Sequence, residues 1–237
     1  MDPDDLTQVL EATWPTLEQR QVGPWLFRTS PGGGKRVNAT QATGPVVQAH
    51  LDQAEAHMRA AGKELLFQSR VDTELDTILA QNGYSILDET LCYQSPIAPL
   101  AEQELPLVTA FPIWPPLQIM RDIWAAGGIG PGRLAIMERA DCKKISILGR
   151  VDGRAAGVVY VGLHAGYAMI HALEVLPAHR RKGLARSLVI AAAQWGRDNG
   201  ATDLVLLVTR QNAVANALYQ TLGMTAQPGY HYRIKSA

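Results

Sequence analysis

From Leu184 the apolar positions fall at Leu184, Leu188, Ala191, Ala192 and Trp195. That is one stripe of a 3.6-residue period, and it predicts an amphipathic helix over 184–198 with Gly200 as its C-terminal cap. The next run, "DLVLLVT" at 203–209, is apolar throughout instead of alternating, which suits a strand covered on both faces. A further helix follows over 212–222, and "PGYHYRIKS" closes the chain with strand-like alternation. Upstream, "KKISILGRVDGRAAGVVYVGLHAGYAMIHALEVLP" reads as a strand meander with Asp152-Gly153 as a hairpin turn. Two helices, "PPLQIMRDIWAAGG" and "GRLAIMERA", precede it.

The first part of the chain carries a similar alternation. "WLFRTS" and "RVNATQ" read as short strands separated by the turn "PGGGK". Val47, Leu51, Ala54 and Met58 keep a helical spacing that Gly62 ends. "KELLFQS" then reads as a strand and "DTELDTILAQNG" as a capped helix. The three prolines in "YQSPIAPLAEQELP" mark the boundary. The strand–helix–strand–helix–strand order recurs on both sides of it. The expectation is therefore two similar α/β modules, 1–98 and 99–237, each a mixed α+β sheet.

Composition narrows the setting. At 237 residues and 47% hydrophobic, the chain can bury a real core. Lys plus Arg equals Asp plus Glu at 22 each, so no basic excess points to nucleic acid. Cys92 and Cys142 stand far apart with no CxxC pattern, which argues against a disulfide framework and a zinc site. His50 and His57 are seven residues apart, too far for a two-ligand metal pair. The acidic start "MDPDDLTQVL" lacks a signal-peptide core, and no run approaches eighteen apolar residues. No metal, no membrane and a reducing cytoplasmic location are the expectations.

Charge is concentrated at one place. Arg180, Arg181, Lys182 and Arg186 surround Gly183 where the 184–198 helix begins. Cations at a helix N-terminus oppose the dipole by a few tenths of a kcal/mol each, up to about 1. An anion there would reverse the sign, because the unpaired first-turn amides, the dipole and the side chains would all face it. Gly183, with no side chain, would let a phosphate approach the backbone closely. A solvated basic turn explains the same residues without a ligand.

"RRKGLA", 180–185, fits the Q/R-x-x-G-x-G/A pattern and resembles the cofactor-binding segment of the GNAT superfamily of acyl-CoA-dependent N-acyltransferases. "NAVANALYQTLGM", Asn212 to Met224, is similar to the N-x-x-A-x-x-L-Y-x-x-x-G-F/M segment found downstream in that family. The two motifs and the strand joining them cover Leu173 to Met224, and the resemblance extends loosely over 105–237. The first module looks like the divergent half of tandem-GNAT proteins.

The resemblance implies acetyl-CoA as co-substrate and a primary amine of a small molecule or peptide as acceptor. The amides of Arg181, Lys182, Gly183, Leu184, Ala185 and Arg186 would hold the pyrophosphate beside Arg180. Val175 and Leu176 would meet the pantetheine arm through their backbone, and Asn212 would cap its helix or contact cofactor and substrate. Tyr219 matches the family tyrosine whose hydroxyl protonates the departing thiolate, while its spacing with Ala215, Leu218 and Leu222 also suits core packing. Glu174 is the candidate base, although a carboxylate paired with Arg180 fits the same position. His171, three residues earlier, shares a strand face with Glu174 only if a bulge intervenes.

Other signals carry less. "PGGGK" lacks the phosphate-loop spacing, and "GGIGPG" at 127–132 reads as an interhelical link or a lid. Tyr230 and Tyr232 suit either an acceptor pocket or sheet packing. The first module offers the acidic "VDTELD" where a pyrophosphate would have to bind, so only the second is expected to take acyl-CoA. The first would shape the acceptor pocket or a homodimer surface. A non-catalytic acyl-CoA-binding regulator is the alternative function.

Overall fold

A computed structural model describes residues 1–236. In chain order the elements begin with α1 (Pro3–Thr13), β1 (Glu18–Val22), β2 (Trp25–Thr29) and β3 (Gln41–Ala42). Next come α2 (Gln48–Ala60), β4 (Leu65–Ser69), α3 (Glu74–Gln81), β5 (Ser85–Leu87), β6 (Thr90–Pro96) and α4 (Ala98–Ala101). Then follow β7 (Ala110–Ile113), α5 (Gln118–Ala126), α6 (Pro131–Arg139), β8 (Lys143–Val151), β9 (Arg154–His164) and β10 (Tyr167–Val175). The chain continues with α7 (Leu184–Asp198), β11 (Asp203–Thr209), α8 (Ala213–Thr221), β12 (Thr225–Pro228) and β13 (His231–Lys235). The fold is mixed α/β, as the alternating periodicities predict. Among the described residues no helix is long and apolar enough to cross a membrane.

Two compact units emerge, and they interleave along the chain. One comprises Met1–Pro15, Cys92–Leu207 and Val214–Ala226; the other comprises Thr16–Leu91, Val208–Ala213 and the stretch from Gln227. A single boundary after residue 98 does not describe this division. The difference arises at the two ends and at Val208–Ala213, where local sequence pattern carries no information about long-range pairing.

The first unit is built on a seven-stranded sheet in the order β12-β6-β11-β10-β9-β8-β7. β7 to β10 pair antiparallel, and β10 pairs parallel with β11. Helix α7 packs against one face: Leu184 and Leu188 lie flush on Gly149 and Gly157, where an added Cβ would come within 3.0–3.2 Å of their methyls. Helix α1 was not anticipated from the sequence, although its signals are present. Asp2 caps it by accepting from the amides of Asp4 and Asp5, Pro3 opens it, and Leu6, Val9 and Leu10 form its buried stripe.

The second unit has two small antiparallel sheets, β1-β2-β3 and β4-β13-β5. Its core is Trp25, Phe27, Leu51, Met58, Leu65, Phe67, Leu79 and Tyr84. "RVNATQ" is not a continuous strand: Lys35–Val37 form a 3₁₀ turn, and pairing resumes at Thr40, which bridges Phe67, and at Gln41. The C-terminal strand β13 lies between β4 and β5 and carries Arg233, whose guanidinium grips the Asp76 carboxylate of α3 at 2.7 and 2.8 Å. His231 Nε2 lies 2.6 Å from the same carboxylate.

The hydrogen bonds from Arg233 hold the Asp76 carboxyl below its ordinary 3.8, with His231 adding to the effect against the opposing pull of burial. A depressed carboxyl contributes stability above its unfolded-state value and loses it as pH falls through the folded value. Asp76→Asn, which strands a largely buried guanidinium, is expected to cost about 3 kcal/mol at pH 7. Urea titrations of both proteins from pH 7 to pH 3 should show that gap closing as the wild type acidifies. A constant gap would remove Asp76 as the source.

Candidate active site

Helix α7 begins without a cap. Its N-cap is Gly183 at φ 80°, ψ −5°, with no side-chain hydrogen bond, and the first amide bonded back into the turn is that of Ser187, to Gly183 O at 3.1 Å. The preceding amides therefore have no backbone acceptor, as helix geometry requires. A Cβ at Gly183 would meet nothing within 4 Å, so the approach to those amides is open. Arg181, two residues earlier, also has positive φ, 63°.

Three of the four surrounding cations already have partners. Arg180 donates to Glu174 Oε1 at 3.1 Å and to Val175 O at 2.9 Å; Lys182 pairs with Asp152 at 2.7 Å; Arg186 donates to Gln103 at 2.6 Å. Arg181 is exposed and has no side-chain partner among the described residues. A surface depression lined by Val108, Arg150, Asp152, Lys182 and Ser187 borders this helix start. Open amides, a bare glycine and one uncompensated guanidinium suit a multiply charged anion such as a pyrophosphate.

The strand before the helix departs from its neighbour. β10 pairs with β11 only from Tyr167–Asp203 to Ile170–Leu206, and its last five residues run on without that partner. On the other edge, Leu176 N–H donates to Ala156 O and Leu176 O accepts from His179 N, both at 2.9 Å. Backbone direction alternates along a strand, so Val175 turns its amide to the unpaired edge while Leu176 is committed to β9 and the following turn. Of the two backbone positions expected to meet an extended ligand arm, Val175 is the one this pattern exposes.

The bulge is present. His171 lies opposite Tyr160 and Glu174 opposite Val158, so two residues of β10, Ala172 and Leu173, oppose one of β9. Ala172 has φ 51°, and its carbonyl accepts from the indole of fully buried Trp124 at 2.7 Å. Tyr160 and Val158 are two apart on β9 and share a face, so His171 and Glu174 share one as well. The Glu174 side chain is 18% exposed and rests on Gly127, at the end of α5. Neither Trp124 nor Gly127 was singled out from the sequence. "GGIGPG" pointed at the segment without showing which glycine faces a side chain.

Tyr219 lies on α8, 6% exposed, its ring 5.3 Å from that of Tyr93. Burial first, and Tyr93 second, push its phenol up to about 12. It therefore stays protonated across the neutral range and is available there as a proton donor. Asn212 immediately precedes α8. Among the described residues no group of three or more His, Cys, Asp or Glu is arranged to hold a metal ion.

The profile of the Acetyltransferase (GNAT) family matches residues 117–224. The chain is 26% identical to the uncharacterized N-acetyltransferase YobR of Bacillus subtilis over 249 residues, covering 98% of this chain and 99% of that protein. It is 39% identical to the streptothricin acetyltransferase of Streptomyces lavendulae over 88 residues, 36% of this chain and 46% of that protein. Among solved structures, a GCN5-related N-acetyltransferase from Kribbella flavida superposes with a TM-score of 0.71 at 18% identity, covering 98% of this chain and 93% of that one. The uncapped helix start, the bulged strand and Tyr219 all fall within the segment that resembles the Acetyltransferase (GNAT) family.

Proposed function

We propose that this protein transfers an acetyl group from acetyl-CoA to a primary amine of a small molecule, using Glu174 as proton acceptor and Tyr219 as proton donor. The observation that carries the reading is the open start of α7 beside the bulged end of β10, with Glu174 on the bulge and Arg180 joining the two. A small-molecule acceptor follows the relative named for streptothricin.

When bound, acetyl-CoA supplies an activated thioester carbonyl. The α7 amides from Gly183 on, with Arg181 and Lys182, hold the pyrophosphate. Arg180 and Arg186 flank it, and Leu184 and Ala185 contribute backbone. The Val175 amide fixes the pantetheine arm, and Asn212 stands at the start of the tyrosine helix. Glu174 takes a proton from the incoming nitrogen, which can attack only when its lone pair is free. Tyr219 Oη delivers the proton that the departing sulfur needs. The protein's contribution is positioning and proton transfer.

Two measurements test this. Acetyl transfer across an amine panel should be detected, whereas tight CoA binding with no transfer would mark an inert acyl-CoA binder. Tyr219→Phe keeps the ring packed on Tyr93 and removes only the hydroxyl; kcat should fall by roughly 10²-fold with the CoA dissociation constant within about twofold of wild type. Unchanged turnover would take Tyr219 out of the mechanism.

A further inference from the structure

The reaction proposed above takes two protons from the nitrogen, since an ammonium becomes an amide. One balances the proton that sulfur receives from Tyr219. The other has to leave the site, and Glu174 can hold only one at a time.

A second proton-accepting group stands on the same face. His171 is 3% exposed, and its Nε2 lies 2.9 Å from Thr13 Oγ1. That hydroxyl donates its single hydrogen to Val9 O at 2.7 Å; the Met169 sulfur, at 3.6 Å, is a weaker competitor for the same hydrogen. With its hydrogen on Val9 O or the sulfur, the Thr13 oxygen is left to accept from His171, which puts the ring hydrogen on Nε2 and the lone pair of the neutral imidazole on Nδ1; a hydroxyl turned toward Nε2 would give the opposite tautomer. Trp14 stacks on the ring with centroids 4.9 Å apart and planes at 21°. Both residues come from the end of α1, about a hundred residues before the family-matched segment. Gly162 makes room for them, because a Cβ there would sit 2.7 Å from Thr13 Cβ.

We propose that His171 is the second proton acceptor of acetyl transfer, and that Thr13 and Trp14 of the N-terminal helix are the residues that position it. The N–C bond of the amide forms, the C–S bond breaks, and sulfur takes the Tyr219 proton. One nitrogen proton passes by way of Glu174 to His171 Nδ1 and on to solvent, and the other restores Tyr219. This inference rests on the acetyltransferase reading. Ionisable groups near the ring include Glu174, on the same face of its own strand, and Tyr160 on β9, whose phenol is held protonated above its ordinary value by burial and by neighbouring Cys142. α1 presents Thr13 and Trp14 and α5 presents Trp124 at the bulge, none of them ionisable.

The test combines nitrogen NMR of the CoA-free protein with kinetics. His171 should appear as the Nε2–H tautomer in the wild type and as a tautomer mixture in Thr13→Val. His171→Gln should lower kcat by roughly 10- to 100-fold, leave the acetyl-CoA KM unchanged and erase the acid limb of the pH–rate profile. Thr13→Val should lower kcat by a few-fold and shift that limb; it carries the kinetic test if His171→Gln does not fold. An Nδ1–H tautomer in the wild type, or variants with the wild-type pH profile, would overturn the proposal. A wild type inert toward every amine would instead remove the acetyltransferase reading, with the tautomer still readable.

Discussion

Gly183→Glu is expected to weaken CoA binding by at least 10²-fold while leaving the protein folded. Two physical terms bear on the folded state, and they oppose each other. Gly183 sits at φ 80°, where any other residue is strained by about 1–2 kcal/mol. Yet a Cβ there meets nothing within 4 Å, and a carboxylate at an uncapped helix start can accept from the first-turn amides, returning about 1 kcal/mol. Net stability should change by no more than about 1 kcal/mol.

The ligand gains nothing from that compensation. The carboxylate takes the amides that the pyrophosphate needs and adds a like charge at contact range. Gly183→Asn, which tolerates positive φ and brings no charge, is the control and should bind CoA within about tenfold of wild type. Arg181→Glu should cost a further tenfold, since Arg181 has no side-chain partner among the described residues to lose. Calorimetric titration with CoA checks all three. A Gly183→Glu protein binding within threefold of wild type would return this helix start to a solvated basic turn.

Much of the site could be read in the chain because it is local. The 184–198 helix, its basic start and Gly183 lie within twenty residues, and their roles follow from helix periodicity and end effects. The Tyr219 helix is likewise local. His171 and Glu174 were tied to a condition, a bulge between them, that only strand pairing could settle; Ala172 and Leu173 carry no signal for it. What escaped is what depends on distant segments. α1 joins the unit that holds the site although the stretch Thr16–Leu91 separates it in sequence from the rest of that unit. β13 joins the other unit's sheet, placing Arg233 on Asp76. Sequence pattern gives each of these elements a type but no address.

Gly127 is the clearest case of a residue whose role exists only in three dimensions, and Gly127→Ala should abolish most activity with little loss of stability. Its φ is −87°, ordinary for any residue, so alanine brings no backbone strain. The added Cβ, however, would lie 2.5 Å from the Glu174 carboxyl carbon and from Oε2. That contact is with the far end of a flexible side chain, which can swing away at small energetic cost. The fold survives and the base moves. Displacing a proton acceptor by an ångström or more should lower kcat by roughly 10²-fold.

The acetyl-CoA dissociation constant should stay within about twofold, because the α7 amides and Arg181 that hold the pyrophosphate are left in place. The double variant Gly127→Ala/Glu174→Gln separates this cause from others. If alanine acts only through Glu174, the double variant should be no slower than Glu174→Gln alone. Multiplying losses in that cycle would show that Gly127 serves some other part of the site, and a melting temperature lowered by more than a few degrees would assign it to packing.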